Sequence, residues 1–378
     1  MRIALITRRF DAAGGGTERD LIVTAEILRA AGHELTILAD EIRGANADFQ
    51  VHRVGRGPRL GRALSLLRFA YAAVPAARRA GTDMALSFAR VVGADVMRSG
   101  GGAHSSYLRE ARKWRGTAST IGMRLRPYHQ VQMLIERRGF RDPSLKRALA
   151  VSEYVRNDLI DSFDLSPAKT ITIYNGVDLE RFRPARDQSS RDEIRRRFGI
   201  PASARLVIFV GNGFARKGLG FLIEAWPMIG GGAFLLVVGS DRASNAYVRR
   251  ADELNVGERI VFAGAQPKVE ELFQAADAFA MPSLFEPFGN VVLEAMACGL
   301  PVLTSAYCGV AELLPPSMRG FIVRNPDDPG EIALRLDALL NAPPALAQEA
   351  RAIAEQFTWA RYGIELNALI ESLAKSLS

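Results

Sequence analysis

Apolar residues in this chain fall into short runs separated by longer amphipathic stretches, and the alternation occurs twice. Residues 1–7 form an apolar run of strand length that leads into Gly14-Gly15-Gly16. Thr17 stands where a helix N-cap is expected, and Leu21, Val23, Ile27 and Leu28 carry that helix to Gly32. Residues 33–39 supply the next strand, and a strand–helix–strand unit implies a parallel pair with a right-handed crossover. Further strands are expected at 83–88, 94–99, 148–152 and 170–174. The pattern restarts with a strand at 205–211 and a helix from Leu219, then strands at 233–239, 260–264, 278–281, 301–304 and 320–323. Each half therefore reads as a doubly wound α/β domain of Rossmann-like type. Residues 1–175 form the first domain and 176–357 the second. A closing amphipathic helix in 358–378 is expected to return to the first. The turn-rich stretch 175–184 and the polar 187–190 mark the hinge, and two such domains would hold ligands in a cleft at the carboxyl ends of both sheets.

Length and composition agree with this picture. The chain has 378 residues, 48% of them hydrophobic, too many for one ordinary core and enough for two. Its mean hydropathy of +0.03 separates it from disordered and membrane-spanning chains. The best apolar stretch, residues 69–77, is short and contains Pro75, and residues 3–6 are too few for a signal peptide. Cys298 and Cys308 have no metal-ligand spacing, so reduced thiols and a cytosolic location are expected.

Charge changes the picture more than its total of +8 does. Residues 51–150 carry a net +15, which leaves the remainder of the chain at −7. An arginine-rich solvated surface is one reading; a basic face for phosphates, nucleic acid or an anionic membrane is the other, and the density of charge favours it.

Three segments carry candidate chemistry. Gly14-Gly15-Gly16 lacks the spacing of a dinucleotide fingerprint, and no Walker A sequence is present, yet glycines before a helix start can meet an anion. At the matching turn of the second half, Arg216 and Lys217 follow a strand and precede a helix. A fixed cation pair there suits a diphosphate leaving group, whereas cations at a helix start otherwise oppose the macrodipole. The third segment is Glu286-Pro-Phe-Gly-Asn-Val-Val-Leu-Glu294. Its two carboxylates suit vicinal hydroxyls of a ribose or hexose, and the N–H groups around Gly289 and Asn290 suit phosphate oxygens. Two surface glutamates flanking a helix start are the plainer alternative.

That segment, with Cys298-Gly-Leu-Pro-Val302, resembles the Glu-x7-Glu signature of the family 4 retaining glycosyltransferases, which have the GT-B fold. The resemblance extends along nearly the whole chain, through Gly15-Gly16 with Gly32-His33, Val151-Ser-Glu-Tyr-Val155, Asn175-Gly-Val-Asp178, Phe214-Ala-Arg-Lys-Gly218 and Phe357-Thr-Trp359. It implies that Glu286 contacts the donor sugar, that Glu294 binds the nucleotide ribose, and that Arg216 and Lys217 neutralise the diphosphate. It places Gly15 and Gly16 against phosphates or acceptor, Gln266 and Pro267 at the nucleobase, and Phe288, Gly289, Asn290 and Val291 along the donor. Asn212 departs from the pattern, since many members carry Arg there.

Residues 95–108 look like the branch that includes lipopolysaccharide core glucosyltransferases. The likeness puts His104 near the donor sugar, although a satisfied loop histidine is the plainer reading of that residue. Relatives often have Asp where Gly101 stands, which leaves Asp20 as the other carboxylate to weigh for proton transfer. Transfer in this family is thought to proceed without a protein nucleophile, so positioning and diphosphate stabilisation should dominate. No Asp-x-Asp motif appears, and the expectation is that no metal or other cofactor is needed.

Between His104 and Arg138, Tyr107, Trp114 and Tyr128 alternate with arginines, a pattern suited to an anionic membrane or a phosphorylated lipid acceptor. Leu60, Leu64, Leu67 and Tyr71 fall at helical spacing that core packing explains. No nucleic-acid partner is expected, for want of a binding motif. The reading is a retaining hexosyltransferase that uses a UDP-sugar, with GDP-mannose the alternative donor. Its acceptor would be a lipid-linked or lipopolysaccharide-core glycan at the inner face of the cytoplasmic membrane. Another GT-B enzyme such as an epimerase and a non-catalytic binding protein are the competing readings; a pyridoxal-phosphate phosphorylase is disfavoured by chain length and scarce lysine.

Overall fold

The computed structural model describes residues 1–11, 14–44, 49–54 and 61–375; Leu60 lies outside them. The chain forms two compact units, Met1–Asn175 with Trp359–Ser378, and Gly176–Thr358. The first is built on a parallel sheet of β1 (Arg2–Asp11), β2 (Glu34–Arg43), β3 (Val51–Arg53), β4 (Met84–Ser87), β5 (Val96–Ser99), β6 (Arg147–Ala150) and β7 (Thr170–Thr172). The second is built on β8 (Leu206–Val210), β9 (Phe234–Val238), β10 (Ile260–Gly264), β11 (Ala278–Met281), β12 (Val302–Ser305) and β13 (Ile322–Val323).

Strand order is β3-β2-β1-β4-β5-β6-β7 in the first sheet and β10-β9-β8-β11-β12-β13 in the second. Both are Rossmann-like, and in both the order reverses beside the first strand, between β1 and β4 and between β8 and β11. At such a point the following loops diverge and leave a crevice outside the carboxyl ends of the strands. Burial on both faces explains the continuous apolar character of these strands, as in Leu206–Val210.

The last helix, Trp359–Lys375, belongs to the first unit. Its Tyr362, Leu366, Leu369 and Ile370 pack into one core with Leu21, Ala25 and Leu28 of the helix Thr17–Ala30. A Cβ on Gly363 would lie 2.9 Å from Ile27 Cγ2, so the glycine sets how closely the two helices approach.

Several local expectations differ from the structure for identifiable reasons. β1 continues to Asp11 because its polar end pairs with β2, Arg9 opposite Glu41 and Phe10 opposite Ile42. β3 is a three-residue edge strand with two polar side chains, too short for an alternation signal. The helix N-cap is Gly16, with Thr17 already helical. In the helix Gly61–Arg79 the buried face is Leu66, Phe69, Ala70, Ala73 and Ala77, while Leu64 and Tyr71 are exposed. Of that stripe Leu67 packs against the buried Leu66, Ala70 and Ile135, while Leu64 and Tyr71 turn outward. Among the described residues no helix is long and apolar enough to cross a membrane.

Candidate functional site

In the second unit β8 leaves the sheet through Gly211 and ends its turn at Gly218, whose φ is +79°. A Cβ there would sit 2.0 Å from Pro282 O, so only glycine lets this turn meet the loop after β11. Leu284 N donates to Arg216 O at 2.9 Å and ties the two loops together. Arg216 Nη1 then reaches Glu286 Oε2 at 2.9 Å and Phe285 O at 2.7 Å, and Lys217 Nζ reaches the same carboxylate oxygen at 2.8 Å. Two cations share one carboxylate, which leaves a net positive cradle with little solvent, since Lys217 is 8% exposed. Burial alone would raise the Glu286 carboxyl. The charges and hydrogen bonds of Lys217 and Arg216 outweigh it and hold the group down at about 2.

The loop from Phe285 to Gly289 is fastened to the segment after β12. Glu286 N donates to Tyr307 O, Gly309 N to Glu286 O, and Val310 N to Phe288 O, at 2.8 to 3.0 Å. Gly289 caps the helix Asn290–Ala297 in the left-handed conformation, and a Cβ on it would strike Cys308 Sγ at 2.7 Å. Cys308 donates to Phe288 O, and burial followed by the Glu286 charge pushes its thiol up to about 12, the state of a packing residue. Phe288 is buried, so its side chain supports the loop from within. The partly accessible positions are Glu286, Asn290, Val291 and Glu294. Asn290 and Glu294 lie one turn apart on the same helix face, behind the helix start.

Gln266 and Pro267 follow β10. Gln266 is anchored by its Nε2 on Ala263 O at 2.6 Å and by Arg197 on its Oε1 at 3.0 Å, while Pro267 is exposed. Sheet order places this turn three strand spacings from β11, about 14 Å along the carboxyl edge. Asn212, the departure noted above, accepts from Ser240 N at 2.9 Å and joins the turns after β8 and β9.

In the first unit Gly14 N donates to Asp11 O at 3.0 Å, and among the described residues none beyond the chain neighbours comes within 4 Å of a Cβ placed on Gly15 or Gly16. Asp20 does not stand open to a substrate. Its carboxylate accepts from Arg98 Nη2 at 2.8 Å and Asn175 Nδ2 at 3.2 Å, and Arg98 also donates to Asn175 Oδ1 at 2.7 Å. The Arg98 side chain is 1% exposed and lies over the Phe88 ring. Asn175 is the last residue before the chain enters the second unit. The group is an anchor, and a distant one to read, since Arg98 and Asn175 lie far from Asp20 in sequence.

His104 opens the helix His104–Glu110 and is buried, its N–H donating to Glu136 at 2.9 Å. Its Nε2 lies 2.8 Å from His129 Nδ1 and the two rings stack at 5.0 Å. Burial, then the Arg90 charge, lowers His104 to about 3, so the ring is neutral. Glu136 holds Arg90, and Gly101 lies in the same small cavity as both. Neither His129 nor Glu136 has a local signal in the sequence; each is one more polar residue in a basic stretch. Among the described residues no group of three or more His, Cys, Asp or Glu is placed to hold a metal ion.

These shifts give the units different acid sensitivities. His33, His104 and His129 are all lowered, by burial first, so the folded first unit binds fewer protons than the unfolded chain and loses stability as pH falls below about 6.5. Glu136, raised by burial, blunts that loss. In the second unit Glu286 and Glu331 are held at about 2, so their stabilisation is present above about 4.5 and disappears as pH falls toward 2. Thermal unfolding followed through Trp359 in the first unit and Trp226 in the second, in variants retaining one tryptophan, should show the first weakening between pH 6.5 and 4.5 while the second holds. Parallel weakening of both over that range would contradict the assignment.

Two protein-family profiles divide the chain. The profile described as Glycosyltransferase Family 4 matches residues 14–181, and that described as Glycosyl transferases group 1 matches residues 190–357. Similar curated proteins include a D-inositol 3-phosphate glycosyltransferase of Mycolicibacterium smegmatis, 31% identical over 239 residues, a match covering 61% of this chain and 53% of that protein. Spore coat protein SA of Bacillus subtilis is 30% identical over 247 residues, 60% of this chain and 65% of that protein. The chain thus spans about half the length of the first of these relatives and somewhat more of the second. Among solved structures, WaaG, a glycosyltransferase involved in lipopolysaccharide biosynthesis, superposes with a TM-score of 0.81 at 23% identity, covering 97% of this chain and 99% of WaaG. HepE of Anabaena, solved in complex with UDP-glucose, gives 0.74 at 19% identity, covering 98% of this chain and all of that one. These two likenesses establish the GT-B fold.

Proposed function

We propose, from the premise that the chain belongs to the family 4, group 1 glycosyltransferases, that it is a retaining enzyme moving a hexose from a nucleotide sugar to a glycan acceptor. The observation that carries this reading is the Arg216–Lys217–Glu286 cradle beside the helix start at Gly289 and Asn290. Donor diphosphate would displace Glu286 from the two cations, which then face the charge that grows as the glycosidic bond breaks. The freed carboxylate would then accept from a sugar hydroxyl, and Glu294 from the ribose. Fixed cations take the part a divalent ion would play, so turnover should survive chelation.

UDP is the favoured carrier, supported by the UDP-glucose bound in HepE, and a lipopolysaccharide-core or other lipid-linked glycan is the favoured acceptor, supported by the WaaG likeness. The inositol-phosphate relatives keep a small phosphorylated polyol as the competing acceptor. The test is nucleotide release from UDP-glucose, UDP-N-acetylglucosamine and GDP-mannose, with and without core glycolipid. Acceptor-dependent release supports transfer. Release of free sugar or an epimerised donor without acceptor points to hydrolysis or epimerisation, and no release from any donor sinks the reading.

A membrane-bound acceptor calls for a docking face. The helix Thr117–Leu125 leaves Ile121 and Leu125 56% and 73% exposed, with Arg112, Lys113, Arg115, Arg124 and Arg126 around it. Apolar side chains ringed by cations suit an anionic bilayer surface at the cytoplasmic side. Replacing Ile121 and Leu125 together by Ser should weaken binding to phosphatidylglycerol vesicles by about tenfold or more. Unchanged vesicle binding in the double variant would place docking elsewhere.

A further inference from the structure

The helix Asn290–Ala297, which carries Asn290 and Glu294, has eight residues and is about 12 Å long. A helix of two turns holds little stability of its own and takes its position from what fastens it. Its first turn follows Gly289, which has no side chain with which to cap it. Val292, Leu293, Ala295 and Met296 are buried, but apolar packing is non-directional, and hydrogen bonds at the ends fix a place along the axis.

The carboxyl end supplies those bonds. Cys298 N donates to Glu294 O at 3.2 Å, Leu300 N to Ala295 O at 3.0 Å and Gly299 N to Met296 O at 2.9 Å, with Gly299 at φ +79°. That turn leaves Ala297 O, the last helical carbonyl, which accepts from Arg351 Nη1 at 2.6 Å. The same nitrogen donates to Phe182 O at 2.9 Å, and Arg351 Nε pairs with Glu355 at 2.7 Å. Phe182 is fully buried, its ring 6.2 Å from that of Phe273, so it is a fixed point of the second unit. Arg351 belongs to the helix Ala345–Gln356, and its guanidinium makes charge-assisted bonds, roughly twice as strong as neutral ones.

The far side of Arg351 borders a cavity of about 740 Å³, which Asp277 and Pro301 place at the amino ends of β11 and β12. The donor cradle lies at the carboxyl ends of the strands, so Arg351 acts through the helix and not on the ligand. Water entering from the cavity can hydrate both carbonyls when the guanidinium is removed, and the fold should tolerate its loss.

We propose that Arg351 is a positioning residue for nucleotide-sugar binding: it ties the far end of this helix to Phe182 and thereby sets where Asn290 and Glu294 meet the donor. What the helix binds rests on the transfer reading above; that Arg351 sets its position does not. Asn290 and Glu294 would hold the donor alike before and during transfer, so the loss should fall on KM, with kcat kept within about twofold.

The test compares Arg351→Met, Arg351→Lys and Glu355→Gln with the unaltered chain in two measurements. Amide exchange without nucleotide should run about tenfold faster at residues 294–300 in Arg351→Met and stay unchanged in β8 and β11. Kd for UDP and KM for the nucleotide sugar should rise about fivefold or more. Arg351→Lys keeps a cationic donor for the carbonyls and should lie between, while Glu355→Gln keeps both carbonyl bonds and should match the unaltered chain. Where Arg351→Met fails to fold, Arg351→Lys carries both measurements. Exchange at 294–300 left unchanged, or raised equally in β8 and β11 as in a general loss of stability, would overturn the proposal. So would an unchanged Kd in a chain that binds UDP, a loss confined to kcat, or a loss in Glu355→Gln as large as in Arg351→Met. A chain that binds no UDP refutes the donor reading, and exchange alone then decides the role of Arg351.

Discussion

Replacing Lys217 by Met should lower turnover by about 10²- to 10³-fold while the protein still folds. The buried ammonium is one of two groups on the Glu286 oxygen, and Arg216 remains to satisfy that carboxylate at 2.9 Å. Arg216→Met should cost a similar factor for the same reason. Glu286→Gln should also impair transfer, because the neutral amide is a weaker acceptor for the sugar hydroxyl that the freed carboxylate would hold. These three side chains act as one unit, so a Lys217→Met, Glu286→Gln double variant should lose far less than the product of the single losses. Steady-state rates with a saturating nucleotide sugar give the comparison; strictly multiplicative losses would show that the three side chains act independently.

Arg98→Met should be the most damaging single change to stability, at about 3 to 5 kcal/mol, because it takes from the buried Asp20 carboxylate the guanidinium that neutralises it. For a unit of this size that corresponds to a melting temperature lower by roughly 10 °C. Adding Asp20→Asn to Arg98→Met should recover part of the loss, since no charge is then left unpaired. Circular dichroism melts of the two variants decide this. A melting temperature unchanged in Arg98→Met would mean that the Asp20–Arg98–Asn175 group is not the anchor described.

The two predictions draw on features that were unequally visible in the sequence. Arg216, Lys217 and Glu286 could be read because each lies a few residues past a strand in a compact segment, and strand order then makes the two segments neighbours. The sequence did not show that Glu286 bonds both cations, since a contact across 69 and 70 residues obeys no spacing rule. Arg98 is the extreme case. It reads as one arginine among many in a basic region, and only the fold brings it to Asp20 and Asn175. His104 was visible through its place after β5, but the burial and the nearby Arg90 charge that keep its ring neutral were not. The helix Gly61–Arg79 shows a different failure, in which a stripe at helical spacing picked out a face with exposed Leu64 and Tyr71 because the true packed face is rich in alanine. Alanine carries little hydrophobic signal and packs closely for the same reason.

The cradle and the helix start suit any nucleoside diphosphate sugar, and the turn at Gln266 and Pro267 would meet the base mainly through its backbone. Discrimination between UDP and GDP donors is therefore expected to be a matter of the space beside that turn more than of a charged contact.

The most direct measurement is calorimetric titration of the protein with UDP and UDP-glucose, alongside Arg216→Met, Lys217→Met and Arg8→Met variants. One site is expected, weakened at least tenfold by either change in the second unit and unaffected by Arg8→Met. A protein that binds neither ligand, or binds them with an affinity indifferent to Arg216 and Lys217, would contradict it.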